Sequence, residues 1–192
     1  MIDPVRFKHQ ATDPWTWRAA TGPDVPAMVD LALRNYESDA RGLTAVDPVE
    51  GSRNLMYAIV NQMYNPKTDF VSVAERRSDS RLLAFTWCVR GIRQPWSTEE
   101  MVVPKVLSAE LGLSTRTRLA LSIQGMYLWE RWAHVCELQL INSSSMRLDW
   151  SAFMQLHMRM GYSVRGSNAF KRLSTITYEV NNQQAVPKIV LP

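Results

Sequence analysis

The chain has 192 residues, 46% hydrophobic and 21% charged, enough for one domain to close a core without disulfides or a structural metal. No apolar run approaches the roughly 18 residues of a membrane span, and the opening MIDPVRFKHQATDPW has no apolar stretch leading to a small-residue cleavage site, so a cytoplasmic location on synthesis is the expectation. The formal charge of +4 favours anionic partners, but the basic residues are scattered rather than striped, which ranks nucleic acid last among partners.

Residues 1–14 carry Pro4 and Pro14 and no periodicity, and read as an extended arm. A folded unit is expected over 15–179. Trp15 to Thr21 alternates as a first strand, which Gly22 and Pro23 end. Asp24 is placed to cap a helix from Val25, with Pro26 in its first turn and an apolar face of Met28, Val29, Leu31, Ala32 and Tyr36. Asp47-Pro48-Val49-Glu50 sets a cap, a first-turn proline and a returning acid at capping-box spacing. The helix that follows is expected to bury Leu55, Met56, Ile59, Val60 and Met63 and to stop before Asn65-Pro66.

Asp69–Glu75 and Arg81–Arg90 are β-rich runs joined by the polar RRSDS, the pattern of an antiparallel hairpin. GIRQPWSTEEMVVP, with Pro95 and Pro104, reads as an irregular excursion. Lys105–Leu113 is then the fourth strand, and Thr115–Ala133 a long helix with Leu119, Ile123, Met126, Tyr127 and Glu130 at helical period. Val135–Ile141 is the fifth strand. Asp149 caps a helix through Met160 that Gly161 stops, and Tyr162–Arg165 with Phe170–Glu179 form a last hairpin around Gly166-Ser167. Residues 180–192 form an extended tail whose Lys188-Ile189-Val190-Leu191 is suited to strand addition on a partner or on a second copy.

Cys88 and Cys136 each lie in an apolar run without a CxxC or Cys/His cluster, so both read as buried reduced thiols and no metal site is expected. Seven tryptophans are many for this length and point to core or interface anchoring. His134, at the end of the long helix, suits its C-terminal dipole.

In order, the elements run strand, two helices, hairpin, strand, helix, strand, helix, hairpin. With AFMQLHMRMGY as a closing helix, matched at Leu156, His157, Gly161 and Tyr162, and with the opening WTWRAATGPDVPAMVDLA, the chain resembles the GNAT superfamily of acyl-CoA N-acyltransferases over Trp15 to Glu179. The resemblance implies an α/β (α+β) fold, with a GNAT-like mixed, mostly antiparallel central sheet and helices on both faces. It also implies that the fourth and fifth strands splay around the pantetheine of acetyl-CoA, with the pyrophosphate on amides at the start of the long helix. On that basis Leu119, Ala120, Leu121 and Ser122 would supply the amides, Arg116 and Arg118 would add side-chain contacts, and Asn142 would follow the fifth strand. Glu110 would be the base and His157 the acid.

The sequence departs from the family where the cofactor loop should be. Thr117, Ala120 and Ser122 stand where the pattern has arginine or glutamine, glycine, and glycine or alanine, and alanine costs about 1 kcal/mol wherever φ > 0 is required. For Glu110 and His157 the plainer reading, a surface glutamate and a core-packed histidine, is preferred. The expectation is therefore a GNAT-fold chain with an eroded acyl-CoA site and no cofactor, a structural or assembly component that contacts protein partners or copies of itself through its terminal arms. GNAT-like virion proteins of short-tailed phages are similar in type, which implies virion association. The alternative is an acetyl-CoA-dependent N-acyltransferase acting on a primary amine.

Overall fold

A computed structural model describes residues 12–39, 46–145, 150–173, 176–178 and 187–189. The elements are β1 (Trp15–Ala19), a 3-10 turn (Gly22–Asp24), α1 (Val25–Asp39), α2 (Pro48–Tyr64), β2 (Asp69–Arg76), β3 (Leu82–Arg93), β4 (Glu100–Ala109), α3 (Thr115–Val135), β5 (Leu140–Ser144), α4 (Trp150–Arg159), β6 (Ser163–Arg165), β7 (Asn168–Arg172), β8 (Ile176–Tyr178) and β9 (Pro187–Ile189). Seven strands make one sheet in the order β1-β2-β3-β4-β5-β7-β6, antiparallel throughout except at β4 and β5, which are parallel.

Alternation of side chains along the strands divides the core into two faces. Val71, Val73 and Phe85 pack under α1 and α2 with Met28, Leu31, Leu55 and Ile59. From the other face Cys88 and Val102 meet Ile123, Met126 and Trp129 of α3 and Met154 of α4. The mixed sheet with helices on both faces, expected from the resemblance, is the observed architecture. Five of the seven tryptophans tie elements together through their indole N–H groups. Trp15 and Trp17 both donate to Gln124 Oε1, at 2.8 and 2.9 Å, Trp87 to Asp69, Trp129 to Thr86 and Trp132 to the Pro66 carbonyl. Cys88 and Cys136 are buried free thiols.

Capping explains where the helices begin. The Asp47 side chain accepts from the amides of Val49 and Glu50. Asp24 accepts from the Thr21 amide and hydroxyl within the 3-10 turn that leads into α1. Gly161 ends the α4 segment at φ +82°, a conformation that glycine alone adopts without strain.

Several boundaries differ from the sequence reading. GIRQPWSTEEMVVP is the tip of a hairpin, because β3 runs to Arg93 and β4 starts at Glu100. The Glu100 carboxylate accepts from the Gly91 amide at 2.9 Å and pairs with Arg90, and Gly91 supplies φ +89°. Consequently β4 begins five residues before Lys105 (105 − 100) and ends at Ala109, where the Glu110–Leu113 turn opens. β5 is Leu140–Ser144 rather than Val135–Ile141: α3 continues to Val135, and Glu137 at φ +61° turns the chain. A short apolar run fits a helix end as well as a strand, and here Cys136 and Leu138 join the core from that helix end.

On α2 the buried residues are Leu55, Ala58 and Ile59, whereas Met56, Val60 and Met63 are exposed. The last hairpin is β6 and β7, and the backbone of residues 187–189 pairs antiparallel with that of 176–178. The expected cap Asp149, most of the N-terminal arm and most of the tail lie outside the described residues.

Candidate functional site

Two parallel strands that share a single Cα pair, Val102 with Ile141, make the candidate site. Past that pair β5 is held by β7, through Asn142–Phe170 and Ser143–Ala169. β4 meanwhile follows β3 to Ala109 with an irregular register. Trp87 faces Val106 and Cys88 faces Pro104, so Lys105 is an extra residue on β4. A bulge accommodates a proline, which has no N–H to give, and bends the strand. The two strands therefore part on the side where Lys105 and Asn142 lie. The Oδ1 of Asn142 is buried there without a hydrogen-bond partner, a costly state for a polar atom unless a ligand or water supplies the donor.

α3 packs across β3, β4 and β5. Its N-terminus is set by Ser114, whose hydroxyl accepts from the Thr117 amide at 3.2 Å while its carbonyl accepts from the Arg118 amide at 2.9 Å. The amides of Thr115 and Arg116 thus have no carbonyl within the helix to bond. Leu119, Ala120, Leu121 and Ser122 lie beyond this first turn, where amides donate along the helix, and Ala120 and Leu121 are buried. The amides at the start of α3 that no helix carbonyl engages are therefore those of Thr115 and Arg116, with the buried, partnerless Nε of Arg118 one turn in. Deeper in α3, Gly125 gives room to Leu107 of β4: a Cβ there would sit 2.7 Å from Leu107 Cδ1.

Glu110 and His157 occupy different environments and share no contact. Glu110 lies one residue past β4, paired with Arg81 at 3.0 Å and Arg34 at 3.2 Å. Burial pushes its pKa up, but the Arg81 hydrogen bond, the Arg34 charge and the Gly112 amide outweigh this and leave it below the ordinary carboxylate value. His157 is fully buried, edge-on to Phe153 at 4.4 Å and Tyr162 at 4.9 Å and tilted against Trp129 at 6.3 Å. Its Nδ1 lies 2.9 Å from the Phe153 carbonyl and its Nε2 has no partner. A carbonyl only accepts, so Nδ1 carries the proton and Nε2 is a bare lone pair. Burial lowers its pKa, partly opposed by the Phe153 bond. Nearby Tyr162 is also buried. That burial, with the Glu130 carboxylate, pushes its phenol well above the ordinary value.

On the opposite face of the sheet a cavity of about 180 Å³ lies between α1 and α2, floored by Phe85, Trp87 and Val106. Sequence reading missed these residues. Gly51, unusual inside an amphipathic helix, is the one signal that pointed there. Among the described residues no group of three or more His, Cys, Asp or Glu side chains gathers as for a metal, and no helix is long and apolar enough to cross a membrane.

The fold is that of the GNAT acetyltransferases. Structural similarity extends to the PaiA N-acetyltransferase of Thermoplasma acidophilum in complex with coenzyme A, at TM-score 0.56 and 13% identity over 82% of this chain and 98% of that one. It extends also to YncA of Salmonella typhimurium, a putative acetyltransferase with its cofactor acetyl-CoA, at TM-score 0.58 and 13% identity over 93% and 100%. Glucosamine-6-phosphate N-acetyltransferase of Arabidopsis thaliana is similar at TM-score 0.57 and 9% identity over 80% and 95%. The sequence matches no family model and no curated protein.

Proposed function

We propose that the chain transfers an acyl group from an acyl-CoA to an amine. The observation that carries the reading is the parting of β4 and β5 after Val102–Ile141, with Asn142 Oδ1 buried and unpartnered beside the opening. The residues fit a long anionic thioester: β4 beyond Val102 offers a strand edge, Asn142 a polar contact, and Thr115, Arg116 and Arg118 a cationic helix end. The free amine attacks the thioester carbonyl of acyl-CoA, the C–S bond breaks, and coenzyme A leaves as its thiol with the proton the amine gives up; the chain orients the two reactants.

Glu110, ionised and paired with two arginines, ties the end of β4 to α1 and leaves the amine proton alone. His157, with its proton committed to Phe153, holds α3 and α4 together through Trp129. The rate then rests on orientation, which supplies large factors without a strong base, and rises with pH as more of the amine is free. Calorimetric titration with acetyl-CoA tests this reading. Micromolar binding that weakens at least tenfold in Arg116→Ala/Arg118→Ala is expected, and absence of binding at millimolar ligand overturns it.

A second reading has a specific observation in its favour. Val49, Met56, Tyr57, Val60, Met63 and Tyr64 are all exposed, and their spacing puts them on one face of α2. An assembly component, in a virion or elsewhere, would use such a face to contact protein partners, with no cofactor. Light scattering separates the readings: self-association that Met63→Glu abolishes favours assembly.

A further inference from the structure

We infer that the cavity between α1 and α2 receives the acyl acceptor and selects an amine that carries a single aromatic or similarly compact apolar group. The inference rests on the acyl-transfer reading for its role, and on the cavity itself for its chemistry. Leu55 and Val29 wall it from the two helices, and Phe85, Trp87 and Val106 floor it from the sheet, so nearly all of its lining is apolar. At about 180 Å³ it is smaller than pockets for drug-sized ligands, which begin near ~300 Å³. It is close to the roughly 150 Å³ of an apolar cavity known to take up benzene. One ring fills it.

Two features bear on the polarity of the occupant and its place in the fold. Asp47 lines the rim; its Oδ1 caps α2, and its carboxylate brings negative charge to the mouth of an otherwise apolar hole, which suits a cation. The floor residue Val106 is the neighbour of Lys105, the bulged residue of β4. Val106 thus joins the cavity floor to the irregular strand that borders the β4–β5 opening. Gly51 lines the cavity from α2, and a Cβ added to it meets nothing within 4 Å. Space is left there that a larger side chain would take.

That glycine supplies the test. Leucine suits a helix interior better than glycine, so Gly51→Leu fills the cavity without weakening α2. Binding of 2-phenylethylamine to the full chain is measured by calorimetry, with ethanolamine as the ringless amine and benzyl alcohol as the uncharged ring. Acetyl-CoA is titrated separately. The expected result is 2-phenylethylamine binding tightest, a dissociation constant raised at least tenfold in Gly51→Leu, and unchanged acetyl-CoA affinity. Equal binding of ethanolamine, equal binding by Gly51→Leu, or no binding of 2-phenylethylamine while acetyl-CoA binds overturns the inference and leaves acyl transfer standing. Binding of 2-phenylethylamine that Gly51→Leu blocks, without any acetyl-CoA binding, removes the acyl-transfer role and leaves the cavity's selectivity.

Discussion

The indole nitrogen of Trp87 donates to Oδ1 of Asp69 at 2.9 Å, and this bond sets the plane of the ring that floors the α1–α2 cavity. Asp69 is itself buried and accepts from Asn61 through its other oxygen at 3.1 Å. Trp87→Phe keeps an aromatic floor but strips a buried carboxylate oxygen of its donor, which costs about 1–3 kcal/mol. Asp69→Asn keeps an acceptor oxygen for the indole and loses less. Urea midpoints of the two variants check this order, and a midpoint for Trp87→Phe equal to that of the wild type contradicts it.

Leu107 crowds Gly125. A Cβ at Gly125 would lie 2.7 Å from Leu107 Cδ1, so Gly125→Ala overpacks the joint between α3 and β4 at a cost of about 1–3 kcal/mol. That cost exceeds or cancels the roughly 1 kcal/mol that alanine contributes to helix formation. In a Leu107→Ala background the clash is gone, and the same Gly125→Ala change should then stabilise by about 1 kcal/mol. A sign reversal in a double-mutant cycle is the expected outcome; additive effects would show that the two residues do not touch.

Much of the scaffold was legible because local chemistry decided it. Asp47 and Pro48 start α2, Gly161 ends α4, and Thr115 is the first residue of α3, as the sequence pattern implies. Legibility failed where the information is tertiary. Nothing local separates Val135–Ile141 as strand from the end of α3, because the choice depends on Cys136 and Leu138 reaching a core built by distant segments. The exposed Met56, Val60 and Met63 have the same cause: α2 is apolar on more than one face, and only its neighbours determine which is covered. The candidate site shows the same division. That Arg116 and Arg118 stand in the first turns of α3 follows from chain order, whereas Asn142, expected just after β5, lies within it, and the Glu110 pairs with Arg34 and Arg81 join residues far apart in sequence.

Histidine burial makes a pH signature. The pKa of His157 is lowered by burial, and that of His134 by burial and by the Lys171 charge, so both are below their unfolded values. A depressed pKa means that the unfolded chain takes up protons first as pH falls. The stability these groups contribute is complete above the ordinary value of 6.5 and is lost as pH drops through the folded pKa values. His157→Phe, a ring that cannot protonate among Phe153, Trp129 and Tyr162, should flatten part of this slope while His134 retains the rest. A slope unchanged in His157→Phe would show that His157 protonates freely in the folded chain.

A second acid dependence belongs to the start of α1. Arg18 grips Asp24 with two hydrogen bonds of 2.8 Å, while its Nε reaches Glu75 at 2.7 Å. The Arg18 hydrogen bond, against the opposing effect of burial and with help from Thr21, lowers the Asp24 pKa from 3.8 to about 2. With the folded value below the unfolded one, this contribution is present in full above about pH 4 and declines as pH falls towards 2. Arg18 is 39% exposed, so solvent screening reduces the effect to about 1 kcal/mol. Asp24→Asn should lose about that much stability at pH 7 and almost none at pH 2, read as urea midpoints that converge with acid. A constant difference between variant and wild type across that range would place the role of Asp24 in the two-oxygen grip on Arg18, which an asparagine amide cannot reproduce, instead of in its charge.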